Sequence, residues 1–313
     1  MNLKRCLLFL TVLFIAGCSA PVVQPERDQY MRDLEFVAQA PRSPGSEHHQ
    51  SVQDLCAKRF EELGFSVERQ DFDVGVNIIG QLAGQKRPDE ALVISAHYDS
   101  VPDCSGADDN ASGVAALLEV ARVLASEKHD RTLVMACWDQ EENGLLGSEA
   151  YADRARQQNA NLIGVYVFDS IGFTDDRPGS QRFPAELKSM YDTLIAPPNP
   201  NGARGDFIAL LYDERFSPPA KDLVGALHQV AVPVLPFEVN LNRVPSDMTR
   251  SDHYPFWRNG YPAMQITDTT EFRSPYYHCH GGADDVKTLN QDFVMKIIEA
   301  MVTSTRKMLQ DAD

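Results

Sequence analysis

Glu141 and Glu142 lie side by side in WDQEENGLLGS, directly after an apolar run. Two carboxylates where a strand meets a loop cannot both face the core; one suits a metal ion and its neighbour suits proton transfer. Upstream, SAHYDSVP spaces His97 and Asp99 one residue apart, and GADDNASG offers Asp108 and Asp109. VFDSIG offers Asp169, and far downstream YYHCH offers His278 and His280. Each set falls at or just past the end of a hydrophobic segment, and in an α/β sheet such ends converge on one crevice. A lone H-x-D pair or a lone acidic pair carries little information, because most such pairs are solvated surface. Five sets in order, all at strand ends, describe a two-metal hydrolytic site. Two ions about 3.5–4 Å apart can polarise a carbonyl and activate water. Carboxylate and imidazole donors suit zinc, and one carboxylate must bridge both ions.

The elements that must position these side chains alternate along the chain. Residues 28–40 and 47–63 have helical periodicity, the second ending at Leu63-Gly64, a helix stop. Residues 65–72 and 76–82 read as strands. The short apolar strand 91–96 delivers His97, and the buried strand 132–138 delivers the glutamate pair. Between them, 111–126 is a helix with Val114, Leu117, Leu118, Ala121 and Leu124 on one face. A helix over about 147–158 precedes a strand at 162–168 that delivers Asp169. The stretch 172–250 is Pro-rich and less regular, with a strand-like DFIALLY and a helix near 219–230; it reads as connections and one further α/β unit. A last strand at 263–266 and an amphipathic helix at 288–310 close the chain. The expected fold class is α/β, with a mixed, mainly parallel central sheet and helices on both faces.

The chain has 313 residues, 43% hydrophobic and 24% charged, the composition of a globular protein. Its net charge is −16. The first 17 residues hold Lys4 and Arg5 and no acid, leaving 27 basic against 45 acidic residues, a net charge of −18, from Cys18 onward. That excess argues against a nucleic-acid partner, which needs a basic surface. The N-terminus reads as a processing signal. A short basic start leads into an apolar run from Leu7 to Ala16 that is too short to span a membrane. It ends in Ile15-Ala16-Gly17-Cys18, which resembles the bacterial lipobox, in which the cysteine is diacylated. An ordinary secretory peptide cut near Ala20 is the alternative. Ser19 resembles the outer-membrane sorting pattern of a Gram-negative cell. The expected organisation is a lipoprotein signal at 1–17, a tether at 18–27 and a single domain carrying the two-metal site at 28–313. The expected location is extracytoplasmic, attached to a membrane through the lipid on Cys18.

Beyond Cys6 in the signal and Cys18, the cysteines are Cys56, Cys104, Cys137 and Cys279. An extracytoplasmic location permits disulfides. Cys137 lies within an apolar strand and reads as a buried small hydrophobe. Cys104 and Cys279 both flank site motifs, and a bridge between them stays open.

The order HYDSVP, GADDNASG, QEENGLLGS, FDSIG and YYH resembles the bacterial leucyl-aminopeptidase and aminopeptidase Y type of zinc metallopeptidase. That family also contains animal glutaminyl cyclases, glutamate carboxypeptidases and the metal-free transferrin-receptor ectodomain. The resemblance covers about residues 30–310, including LEFVAQAPRSPGS near the start and SDHYPFW before the last strand. It implies the zinc-dependent exopeptidase fold, two zinc ions per chain, and peptides with a free N-terminus as substrates. Carried across, His97 and Asp169 bind one zinc, Glu142 and His278 the other, and Asp109 bridges, with Asp108 a loop residue. Glu141 is the general base, and Asp99 orients His97 through its second ring nitrogen. The peptide after the bridging aspartate is often cis in the family.

Other residues carry two readings. Asp252 in SDHYPF resembles an acid near the base, or caps a loop. Tyr277 can donate to the tetrahedral oxyanion, or Tyr276 can, or both simply pack. Arg273 contacts substrate or pins its loop. His280 reads as a surface histidine, and His48, His49, His129, His228 and His253 have no ligand-like context. The expected activity is aminopeptidase. The rivals are a glutaminyl cyclase on the same scaffold, a catalytically inactive receptor, and a related dinuclear amidase. The segment after QEEN lacks the longer insertion of the cyclases, all the ligands are present, and the Gly-Arg-Gly and Lys-Gly of the amidases are missing.

Overall fold

The computed structural model describes residues 23–184 and 203–310. Cys18 and the 1–17 signal lie outside the described residues. Among the described residues eight strands form one sheet: β1 (Ser66–Phe72), β2 (Gly75–Leu82), β3 (Arg87–His97), β4 (Arg131–Trp138), β5 (Asn161–Phe168), β6 (Ile208–Asp213), β7 (Val234–Val239) and β8 (Ala263–Thr267). Their order is β1-β2-β4-β3-β5-β8-β6-β7. The four central strands β4, β3, β5 and β8 are parallel. The β1–β2 hairpin is antiparallel and joins β4 antiparallel, while β6 pairs antiparallel with β8 and parallel with β7.

Both faces of the central strands are covered, and side chains alternate between them. Leu92, Ile94 and Ala96 of β3 and Leu133, Met135 and Cys137 of β4 join the larger core. It is covered by α1 (Arg27–Val37), α2 (Glu47–Glu62), α3 (Gly113–Leu124), α5 (Ser217–Gln229) and α7 (Gln291–Leu309). Val93, Val134, Ala136 and Trp138 face the other side, packed under α4 (Leu146–Gln157) and α6 (His253–Arg258). The expected mixed, mainly parallel sheet with helices on both faces is thus observed.

Local chemistry sets the helix ends. The Ser46 hydroxyl accepts from His49 N at 3.1 Å to cap α2, and Gly64 follows its end at φ 85°. Prolines occupy the first turn of α5, where no backbone donor is needed. Strand β7 and helix α6 go beyond the sequence reading. Pro236 interrupts the alternation of VLPFEV, but β7 is an edge strand, where a proline is tolerated.

Cys137 departs from its expected role as a free hydrophobe. The face of β4 that carries it points at α2, whose buried face carries Cys56, and the two form a disulfide with Cα atoms 6.6 Å apart. The open question at Cys104 and Cys279 is also answered. They form a second disulfide, with Cα atoms 5.7 Å apart.

Candidate metal centre

The C-terminal ends of the parallel strands meet at one edge. His97 ends β3, level with Trp138 of β4, and Ala96 pairs with Phe168 of β5. Asp169 therefore follows β5 beside His97, and the glutamate pair follows β4 on the other side. Asp109 enters from the turn before α3, and His278 from a loop after β8.

Asp109 lies between the two histidines. Its Oδ1 is 3.3 Å from His97 Nε2 and its Oδ2 is 3.2 Å from His278 Nε2. Asp169 Oδ1 is 3.9 Å from His97 Nε2, and Glu142 Oε2 is 3.1 Å from His278 Nε2. Two donor sets result, His97–Asp109–Asp169 and Asp109–Glu142–His278, each with its atoms within 4.8 Å of one another. The structure brings together all five residues proposed as ligands from the sequence and shares Asp109 between the sets.

The donors fit zinc. Each set supplies one imidazole nitrogen and two carboxylates, the donor types zinc takes. His278 Nε2 and Glu142 Oε1 are buried without a hydrogen-bond partner, which leaves their lone pairs for an ion.

The surrounding loops are held by backbone bonds. Asp99 faces His97 Nδ1 at 3.5 Å. Its two oxygens accept from the backbone N–H groups of Glu141 and Glu142 at 3.0 and 3.2 Å. The Asp109-Asn110 peptide is cis. Asn110 donates to Phe168 O and accepts from Ser170 N, tying this turn to the end of β5. Gly106, at φ 54°, passes so close that a Cβ there would lie 2.1 Å from Asp109 O. Gln265 Nε2 donates to Asp169 Oδ2 at 2.9 Å.

The electrostatics are those of a pocket short of positive charge. Burial pushes His97 down, but Glu141, Asp109, Asp169 and Asp99 outweigh it and hold the imidazole well above its ordinary value. Burial also opposes charge on His278, which Asp109 and Glu142 raise to about 10. Burial works to raise Asp109, yet the two imidazoles hold it below the usual carboxylate range. Glu142 is pushed up to about 7 by burial and then by Asp109. Glu141 is pushed well above the carboxylate range, first by burial and then by Asp252, Asp169 and Glu142 against the pull of His97. Asp252 is itself fully buried and raised to about 7, chiefly by burial.

A cavity of about 510 Å³ opens before both sets. Glu141 and Asp169 line it, together with apolar Leu211, Phe237 and Met248. Tyr277 lines it too, stacked on His278 with ring centroids 3.8 Å apart. Tyr276 instead packs edge-on against Phe173 at 5.9 Å. Arg273 is buried and pins its loop, donating to Gln181 Oε1 and Phe173 O beneath the site. His280 is exposed, with its ring 5.9 Å from that of His278. Asp108 is more than a loop residue. It is buried, accepts from Gly172 N at 2.8 Å, and is pushed well above the carboxylate range by burial, Asp268 and Asp284.

Two residues, Arg42 and Asp284, went unread in the sequence, and His49 was read only as a histidine without ligand-like context. Arg42 is fully buried and donates to the carbonyls of Tyr98, Val37, Ser105, Gly106 and Asp109. Asp284 accepts from the backbone N–H groups of Asp108 and Asp109 at 3.0 and 3.1 Å. His49 is buried against Asp139, Nε2 to Oδ1 2.7 Å, at the turn before the glutamates. A charged residue within an otherwise plain loop, APRSPGS or GGADD, was the only signal for the first two.

The chain is similar to known proteins to different degrees. Residues 77–305 match the model of Peptidase family M28. The chain is 29% identical over 232 residues to the uncharacterized protein YfbL of Escherichia coli, covering 68% of this chain and 65% of that protein. It is 29% identical over 234 residues to a probable zinc metalloprotease of Leptosphaeria maculans, covering 71% of this chain and 52% of that one. The matched stretch thus spans less than two thirds of either relative. Among solved structures, Legionella pneumophila LapA superposes with a TM-score of 0.71 at 18% identity, covering 92% of this chain and 74% of that one. An aminopeptidase from Aneurinibacillus sp. strain AM-1 gives 0.69 at 15% identity, covering 93% and 95%. A glutaminyl cyclase from Porphyromonas gingivalis gives 0.62 at 18% identity, covering 90% and 98%. At these identities the superpositions speak for the fold. The family match takes in every residue of the two donor sets, from His97 to His278, and the chain belongs to Peptidase family M28.

Proposed function

We propose that the chain is a di-zinc aminopeptidase, held outside the cytoplasm by a lipid on Cys18. The observation that carries the reading is Asp109, whose two oxygens face two different histidines, each completing a donor set with a further carboxylate. Zinc bound in both sets would polarise the scissile carbonyl and make water a competent nucleophile near neutral pH.

The remaining work falls to the protein. Glu141 lines the cavity beside the donors, takes a proton from the attacking water and passes it to the leaving amine. Asp99 keeps Glu141 and Glu142 in register by holding both of their backbone N–H groups. Tyr277 donates its phenol proton to the oxygen that gains charge in the tetrahedral state. The free α-amine of the peptide sits against the carboxylates of Glu141 and Asp169, which restricts cleavage to the first peptide bond. The two disulfides suit an oxidising compartment, in line with the lipobox at Cys18. The acidic chain suits peptide substrates and no nucleic acid.

A panel of aminoacyl-anilides and glutaminyl peptides, assayed with zinc and with chelator, tests the reading. Release of the N-terminal residue, lost on chelation and restored by about two zinc ions per chain, is the expected result. Saturation at one zinc with cyclisation of N-terminal glutamine would overturn it in favour of the cyclase.

A further inference from the structure

We propose that Arg250 is a receptor for a substrate carboxylate on the leaving-group side of the scissile bond, a reading that rests on the aminopeptidase function above. It selects either short peptides, through their C-terminus, or peptides with an acidic second residue.

The charges on the cavity wall are unevenly matched. Asp109, Glu142 and Asp169 belong to the donor sets, and Glu141 stands beside them. Arg258 pairs with Glu149 at 2.8 Å, and both line the cavity, so their charges cancel at the wall. Arg250 differs. Its Nη1 pairs with Glu271, which is not part of the wall, and its side chain is 46% exposed. Asp247 lines the wall nearby and forms no ion pair with it among the described residues. Its Nη2 meets the phenol oxygen of Tyr277, another lining residue, at 3.4 Å, longer than a good hydrogen bond. A guanidinium has five N–H donors in a planar fork, so the Nη2 edge is free to take a carboxylate. Arg250 is the donor in the contact with Tyr277, so the phenol proton stays available for the oxyanion.

Position supplies the side of the bond. Tyr277 stacks on His278 with ring centroids 3.8 Å apart, and Arg250 lies 3.4 Å beyond its phenol oxygen, so Arg250 stands by the Asp109–Glu142–His278 set, while the α-amine is placed at Asp169 of the other set. An extended residue spans roughly 3.3–3.6 Å. A carboxylate one or two residues past the scissile carbonyl reaches that distance. It is supplied by the C-terminus of a di- or tripeptide, or by an aspartate or glutamate after the cleaved bond.

Three zinc-loaded assays with one apolar N-terminal residue test this: Leu-Ala, Leu-Ala-amide and Leu-Asp-amide. We expect kcat/KM for Leu-Ala or Leu-Asp-amide to exceed that for Leu-Ala-amide by about tenfold or more, the scale of a charge-assisted pair. Whichever acid is favoured identifies the source of the carboxylate. Arg250→Gln should bring the ratio close to one. Arg250→Lys, which keeps the charge and loses the fork, should give a value between. Glu271→Gln keeps the receptor, removes its competing partner and should raise the ratio. Cleavage of all three peptides with equal efficiency in the wild type overturns the receptor and leaves the peptidase reading standing. An unchanged ratio in Arg250→Gln also overturns it, and cleavage of none of the three overturns both readings.

Discussion

Asp99 Oδ1 accepts a hydrogen bond from the backbone N–H of Glu141 at 3.0 Å while the same oxygen faces His97 Nδ1 at 3.5 Å. One carboxylate therefore sets the turn that carries the proposed base and the ring that carries a proposed ligand. Asp99→Asn keeps the shape but loses the charge and one pair of acceptor sites. We expect zinc affinity and kcat to fall by about 10–100-fold, the usual cost of losing a partner behind a metal ligand. Zinc competition titration and turnover measured side by side check this; wild-type affinity with wild-type turnover rules the coupling out.

The neighbouring glutamates should divide base from ligand. Glu141→Gln keeps size and hydrogen bonding and removes the proton acceptor. Turnover should drop by about 10²–10⁴-fold, with zinc content unchanged. Glu142→Gln removes the carboxylate facing His278, so one zinc should bind more weakly and activity should fall with it. Metal analysis of both variants decides the point, and zinc loss confined to the Glu141 variant reverses the roles.

The parts of this molecule legible in the sequence are those whose signal is local. The apolar runs ending at His97, Trp138 and Phe168 mark three of the four parallel strands, and the donors follow each run by three or four residues at most. Asp169 stands at such an end; Asp109, twelve residues past β3, and His278, eleven past β8, could be placed only through the resemblance of their motifs to the family. Arg42 was not legible, because its partners are five carbonyls from three separate stretches of chain. Asp284 acts on the backbone of residues more than 170 positions away, and no neighbouring residue betrays it. Strand β7 was hidden by its proline and by being a half-exposed edge. The Cys56–Cys137 bridge depends on which face of α2 meets which face of β4, and periodicity alone does not carry that.

The Cys104–Cys279 bridge joins the loop between His97 and Asp109 to the residue after His278. The turn at His278 has left-handed φ of 53° at His278 and 60° at Cys279, and a covalent tie is a direct means of holding it. Cys279→Ser should weaken binding of one zinc by about tenfold or more and lower stability by about 2–5 kcal/mol. Cys56→Ser serves as the comparison, since it cuts a bridge in the core and should lower stability without a selective effect on zinc. Equal zinc loss in both variants would show that the tie acts through global stability alone.

Cys18→Ser should move the protein from the membrane fraction to a soluble one. The described domain begins beyond this residue, so its thermal midpoint should stay at the wild-type value. A variant that remains in the membrane fraction and is processed as before would sink the lipid-anchor proposal.

The two bridges interleave along the chain: Cys56 pairs with Cys137, and Cys104, which lies between them, pairs with Cys279. As the chain emerges from its N-terminus, Cys104 meets an oxidant when Cys56 is already present and neither native partner has arrived. An oxidase that joins thiols in order of emergence would link Cys56 to Cys104 and Cys137 to Cys279. That isomer ties the His278 loop to a core strand and the loop before Asp109 to α2, so the two site loops are no longer joined to each other. The last thiol of the native set, Cys279, directly follows the last donor of the metal centre, His278. In an oxidising compartment, where the proposed lipobox would send the chain, a shuffling isomerase beside the oxidase would convert that isomer to the native pairing.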